Sequence, residues 1–125
     1  MDAGEALTEL TRFSAEIEHA ALLDRDGGVL AATPKADPER LRRVAHGLLE
    51  IADSIRPETQ VDRVEVTRSS RTIYAVRAGG RVAVATARQP VVSPLVVYDL
   101  RSCLARLDKA ESPRKRRRKA DVVDA

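Results

Sequence analysis

Few residues in this chain are equipped for chemistry, and their spacing gives them other work. The two histidines, His19 and His46, stand apart. A general base needs a nucleophile or an orienting partner within reach, and no spacing here suggests one. A metal site needs more His or Cys than this chain offers. His19 reads as a strand-end histidine and His46 as a helix-surface one. Cys103 is the sole cysteine, which excludes an intramolecular disulfide and any Cys-pair metal site. It lies on an apolar stripe and reads as a core filler. Asp24-Arg25-Asp26-Gly27-Gly28 invites comparison with a calcium loop but lacks the later Glu and the further oxygen ligands. Turn chemistry explains it better. Gly27-Gly28 and Gly79-Gly80 are not phosphate loops, because no Gly-Lys-Ser/Thr follows. The sequence therefore assigns no catalytic residue, no cofactor, no metal and no small-molecule substrate, and implies a protein that works by contact.

Composition points the same way. The 125 residues suit one domain. Hydrophobic residues make up 43% but are mostly Ala, Val and Leu, with Phe13, Tyr74 and Tyr98 the only aromatics. Such side chains fill thin layers between a sheet and helices and rarely wall a roomy ligand pocket. Residues 109–125 hold seven Lys/Arg and three acids, so this segment carries +4 of a chain whose net charge is +3, leaving −1 for residues 1–108. The folded part is thus no nucleic-acid surface by composition. The acidic start and the absence of any apolar run near the roughly 20 residues of a bilayer span imply a cytoplasmic protein.

The elements that must position these residues follow from periodicity. Leu7, Leu10, Phe13 (or Ser14) and Ile17 recur at helical spacing. Strands His19–Asp24 and Gly28–Thr33 follow, joined by a turn whose glycines supply positive φ. Asp37 is placed to cap a second helix, with Pro38 at its first position. Its stripe is Leu41, Val44, Ala45, Leu48, Ile51 (or Ala52) and Ile55, with Gly47 and Leu49 off the main line. Three strands come next: Val61–Arg68, Arg71–Ala78 and Arg81–Ala87. In the first, Val64 and Val66 face one way and Arg63, Glu65 and Thr67 the other. The third is nearly all small and apolar, as a central strand covered on both faces would be. Gly79-Gly80 signals a two-residue hairpin. Ser93-Pro94 opens a last helix with Ser93 as N-cap, its stripe being Val97, Leu100, Cys103, Leu104 and Leu107. Residues 109–125 read as a disordered basic tail. The order α-β-β-α-β-β-β-α describes an α+β domain over 1–108, a five-stranded antiparallel sheet with helices on both faces.

This order, with the strand–turn–strand Ala21-Leu22-Leu23-Asp24-Arg25-Asp26-Gly27-Gly28-Val29-Leu30-Ala31-Ala32 and the closing Leu95-Val96-Val97-Tyr98-Asp99-Leu100-Arg101, resembles the roadblock / dynein light-chain family, of profilin-like fold. The resemblance spans about Leu7 to Leu107. It implies a homodimer in which second helices pack together and third strands pair edge to edge. It also implies a regulator of a small Ras-like GTPase, as activator or scaffold. Any GTP involved would belong to that partner.

The residues placed at such an interface are Leu41, Val44, Leu48, Leu49, Ile51 and Ile55 of the second helix and Arg63, Val64, Glu65 and Val66 of the third strand. A two-fold axis near Val64 would set Arg63 against the partner's Glu65 and the reverse, a self-complementary arrangement. The run Arg114, Lys115, Arg116, Arg117, Arg118 and Lys119 suggests three roles besides a solvated tail. These are an anionic membrane surface, non-specific nucleic-acid binding and a nuclear address. The alternative function is therefore a dimeric scaffold presenting basic tails to nucleic acid or anionic membrane.

Overall fold

The computed structural model describes residues 2–55 and 57–107. Helix α1 spans Ala3–Phe13, its first turn capped by Asp2, whose carboxylate accepts the Glu5 N–H at 2.8 Å. It ends at Ser14, whose N–H donates to the Leu10 carbonyl. Ser14 is 1% exposed and Phe13 69%, so Ser14 takes the core position. Ile17, read from spacing as the helix's last apolar residue, instead opens strand β1, Ile17–Leu23. The polar Ser14-Ala15-Glu16 stretch breaks the helix before it.

Strand β2 is Val29–Ala32. In the turn before it, the Asp24 N–H donates to the Gly28 carbonyl at 2.7 Å and the Gly28 N–H to the Asp26 carboxylate at 3.1 Å. Gly27 alone takes positive φ there. Asp24 also lies 3.9 Å from the guanidinium of the almost wholly buried Arg81. Both acids are structural.

Helix α2 covers Pro38–Ile55, and Asp37 caps it by accepting the Arg40 N–H at 3.2 Å. Strands β3 (Arg63–Arg68), β4 (Arg71–Ala78) and β5 (Arg81–Arg88) follow. Strand β3 begins two residues later than the spacing predicts, because Val61 is held by side chains. Its N–H donates to Asp53 and its carbonyl accepts from Arg77. Gly79 and Gly80 both have positive φ in the tight β4–β5 hairpin.

Helix α3 runs over 93–107. It starts one residue earlier than predicted: Val92 supplies the capping carbonyl, accepting the Val96 N–H at 3.2 Å. The Ser93 hydroxyl is engaged elsewhere, 2.8 Å from the hydroxyl of the buried Tyr74.

The sheet runs β2-β1-β5-β4-β3, all neighbours antiparallel, with β5 central and β3 at one edge. Each face has its own core. Ala20, Leu22, Tyr74, Val76, Ala83 and Ala85 meet α1 and α3, while Ala21, Leu23, Ala75 and Val84 meet Leu41, Ala45 and Leu49 of α2.

Candidate interaction surface

The outer parts of α2 and β3 are built by residues that the protomer's own core leaves unused. At 100° per residue, Leu41, Ala45 and Leu49 form one stripe, and all three are buried. Leu49 was expected off that line and is on it. Leu41 and Leu49, placed by sequence at the interface, are 8% and 6% exposed within the protomer and cannot meet a partner from outside. The neighbouring stripe is Val44, Leu48, Ile51 and Ile55. Val44 and Leu48 are half-buried, and Ile51 and Ile55 are 63% and 74% exposed.

Strand β3 supplies the second component. Val64 faces α2 and packs at the edge of its core. Val66, two residues on and so on the same face, is 41% exposed. It stands opposite the half-buried Ile73 of β4, a residue not among those placed at the interface from sequence. Arg63, Glu65 and Thr67 point to the other face and are exposed. The Arg77 N–H donates to the Asp62 carbonyl at 2.7 Å, so in an antiparallel ladder Val64, Val66 and Arg68 bond to β4. The backbone N–H and C=O groups of Arg63, Glu65 and Thr67 face the open edge. Next to this area on the α2 face, His19 lies opposite Thr86 in the ladder. His19 Nδ1 and Thr86 Oγ1 are buried without a hydrogen-bond partner. His19 thus sits inside β1, not at its end.

The opposite flank of α2 is polar. An open groove of about 610 Å³ there is lined by residues including Asp24, Arg42, His46, Glu50, Asp53 and Arg77. Several of its charges are held in ion pairs. Arg77 donates to Asp53 at 2.8 Å and holds that carboxyl below the usual aspartate range. Glu39 and Arg42 pair, and Glu39 is held low in the same way. His46 lies 3.1 Å from Glu50 one turn on, both well exposed. No nucleophile–base pair is assembled among the residues lining this groove. Among the described residues no group of three or more His, Cys, Asp or Glu side chains could hold a metal, and no helix is long and apolar enough to cross a membrane. Cys103 is buried, and burial pushes its thiol up to about 11.

A roadblock/LC7 domain from Streptomyces avermitilis superposes on this chain with a TM-score of 0.75 at 19% identity, over 88% of this chain and 98% of that one. The fold is the roadblock/LC7 fold. Myxococcus xanthus MglB shares it at TM-score 0.73 and 15% identity, over 89% of this chain and 95% of that chain. A structure described as MglB with tetrameric arrangement does so at 0.65 and 21%, over 86% and 85%. No protein-family model and no curated protein matches the sequence. The resemblance read from Ala21–Ala32 and from the element order is thus matched by a roadblock fold over nearly the whole described chain. The basic residues Arg114–Lys119 lie outside the described residues.

Proposed function

We propose that this chain is a non-enzymatic homodimeric interaction protein that binds and regulates a small Ras-like GTPase, as activator or scaffold, with copies meeting through α2 and β3. The observation that carries the reading is an apolar helix flank, Val44, Leu48, Ile51 and Ile55, lying beside an unpaired strand edge. Large apolar side chains clustered on a surface mark a contact site, and an unpaired edge is a template for another strand. A two-fold operator would satisfy both at once. The roadblock fold supports the GTPase part through the family resemblance, and the MglB of tetrameric arrangement supports self-association.

Backbone parity allows a two-fold axis at Val64, Glu65 or Val66, and charge favours the first. Only Arg63, Glu65 and Thr67 offer outward hydrogen-bonding groups. An axis at Val64 pairs Arg63 with the partner's Glu65 in both directions, whereas an axis at Glu65 sets that acid against itself. Opposite charges directly across a ladder favour the first by roughly 0.2–1 kcal/mol per pair. An arginine supplied in trans accelerates GTP hydrolysis in other systems; no residue of this chain is given that role.

Two measurements test the reading: sedimentation equilibrium, and GTP turnover by a small Ras-like GTPase encoded beside this gene. The wild-type chain sediments as a dimer and changes turnover. Ile51→Asp sediments as a folded monomer and loses the effect. Arg63→Glu weakens the dimer, and Arg63→Glu with Glu65→Arg restores it. A wild-type chain that stays monomeric at high concentration and leaves turnover unchanged refutes the reading. The seven Lys/Arg of residues 109–125 favour a second reading, a dimeric scaffold presenting basic tails to nucleic acid or anionic membrane. Its mark is binding that falls steeply with salt.

A further inference from the structure

Three arginines line up across one end of the sheet. Arg68 of β3 stands opposite Arg71 of β4, and Arg71 opposite Arg88 of β5. Arg68 follows Val64 and Val66 at even spacing, so the row lies on the α2 face. All three side chains are exposed. Like charges directly opposite in a ladder destabilise it, so the row calls for carboxylates. The protomer supplies one. Glu18 sits at the irregularity in β1 between Ile17 and His19. Its carboxylate accepts from Arg71 at 2.8 Å and from Arg88 at 3.0 Å. Arg68 is left at the outer end of the row, on the edge strand. Among the described residues no carboxylate pairs with it.

Strand β3 carries an unused acid at its other end. The Arg77 N–H donates to the Asp62 carbonyl at 2.7 Å, so Asp62 extends the β3–β4 ladder by one residue. It stands two residues before Val64 and points to the same face as Val64, Val66 and Arg68. It is exposed, and among the described residues no cation pairs with its carboxylate. Within one protomer the two cannot meet, because six residues of strand hold them about 20 Å apart. Across two antiparallel β3 edges they can. With the two-fold axis at Val64, the partner's Asp62 is the diagonal neighbour of Arg68. With the axis at Glu65 it is directly opposite, and with the axis at Val66 it is the diagonal neighbour on the other side. Opposite and diagonal positions on one face are both within reach of a long side chain.

We propose that a second copy completes the arginine row: each Arg68 pairs with the partner's Asp62 across the joined β3 edges, twice about the axis. The partner copy contributes the carboxylate that the protomer lacks. This inference rests on the proposed β3 contact and adds to it an ion pair on the α2 face that every allowed register brings together. The pairs lie at an exposed rim, so salt weakens them.

The test uses the reciprocity of the contact. In Arg68→Glu both pairs become acid against acid, and in Asp62→Arg both become arginine against arginine. In sedimentation equilibrium of the full chain, each variant alone has a dimer dissociation constant at least tenfold above wild type. An equimolar mixture of the two returns to within threefold of wild type, because a heterodimer has opposite charges at both sites. Arg101→Glu on α3 makes the same change in net charge as Arg68→Glu and leaves dissociation unchanged. The neutral variants Arg68→Gln and Asp62→Asn each weaken the dimer two- to fivefold, and together no more than either alone. A dimeric wild type whose charge variants dissociate no more readily, or whose mixture is no tighter than its components, overturns this inference and leaves the α2–β3 reading standing. So do neutral variants whose effects multiply. A wild-type chain that stays monomeric at high concentration overturns both.

Discussion

Gly47→Ala separates what α2 needs as a helix from what it needs as a contact. Gly47 lies in the middle of α2 and is half-buried. A Cβ added there meets nothing within 4 Å, so the protomer has no steric reason for glycine. Glycine in a helix interior costs about 0.8–1.0 kcal/mol relative to alanine. The substitution should therefore stabilise an isolated protomer by about that amount, a rise of a few degrees in Tm for a domain of this size. On the helix, Gly47 sits one turn after Val44 and one turn before Ile51, at the outer rim of the apolar flank. Two helices meeting along that flank approach most closely where a side chain is missing. A methyl group forced into a close helix–helix contact costs about 1–3 kcal/mol, and every 1.4 kcal/mol is tenfold in dissociation constant. The two effects have opposite signs and separate by concentration. Thermal unfolding of the dilute protein should rise with Gly47→Ala, while sedimentation equilibrium should show the dimer weakened about tenfold or more. A variant with raised Tm and unchanged or tighter self-association would show that Gly47 lies outside the contact, and the proposed packing of α2 would be wrong.

Other outcomes follow from single interactions. Glu18 accepts from Arg71 and Arg88, which hold its carboxyl below the usual range, chiefly through the Arg71 hydrogen bond. A depressed folded pKa stabilises above the unfolded value and is lost as pH falls through the folded one. Glu18→Gln should thus cost about 0.5–1 kcal/mol at pH 7, and urea unfolding should show the difference from wild type vanish toward pH 3. Tyr74→Phe removes the hydroxyl partner of Ser93 beneath α3 and should cost about 1–1.5 kcal/mol in urea unfolding. Cys103, buried with its thiol pushed up to about 11, should resist a thiol reagent at pH 8 in the native chain and react fully once unfolded.

The element order was legible because each element has a strong local cause. Asp37-Pro38 starts α2, Gly79-Gly80 turns β4 into β5, and the stripe Val97, Leu100, Cys103, Leu104 and Leu107 is buried as its spacing predicts. The misreadings share another cause. Ile17 fits a helical period from Leu7 as well as it fits a strand, and only the break at Ser14 decides between them. Ser93 has the chemistry of a cap, but a tyrosine 19 residues away in sequence takes its hydroxyl. In α2 two apolar stripes lie about 100° apart on the helix, and periodicity cannot say which one faces the sheet.

That ambiguity in α2 is itself informative. A helix that only covered a sheet would need one apolar stripe, and Leu41, Ala45 and Leu49 already provide it. Val44, Leu48, Ile51 and Ile55 are then surplus to the protomer, and surplus apolar side chains in a row are hard to account for in a solvated surface. They lie away from the ion-paired flank of α2, on the side that leads toward Val66 and Ile73 and the open edge of β3. The polar flank, with Arg42, Glu50, Asp53 and Arg77, would remain exposed after two copies met along the apolar one. If the proposed dimer forms along the apolar flank, the polar flank stays free, and it is the surface on which the proposed GTPase contact is to be tested. Charge reversal at Arg42, which is on the polar flank and away from the apolar stripe, should weaken GTPase binding without changing the sedimentation of the dimer. Loss of both together would place the two contacts on the same surface and refute the division of α2 into a self-associating flank and a partner-facing one.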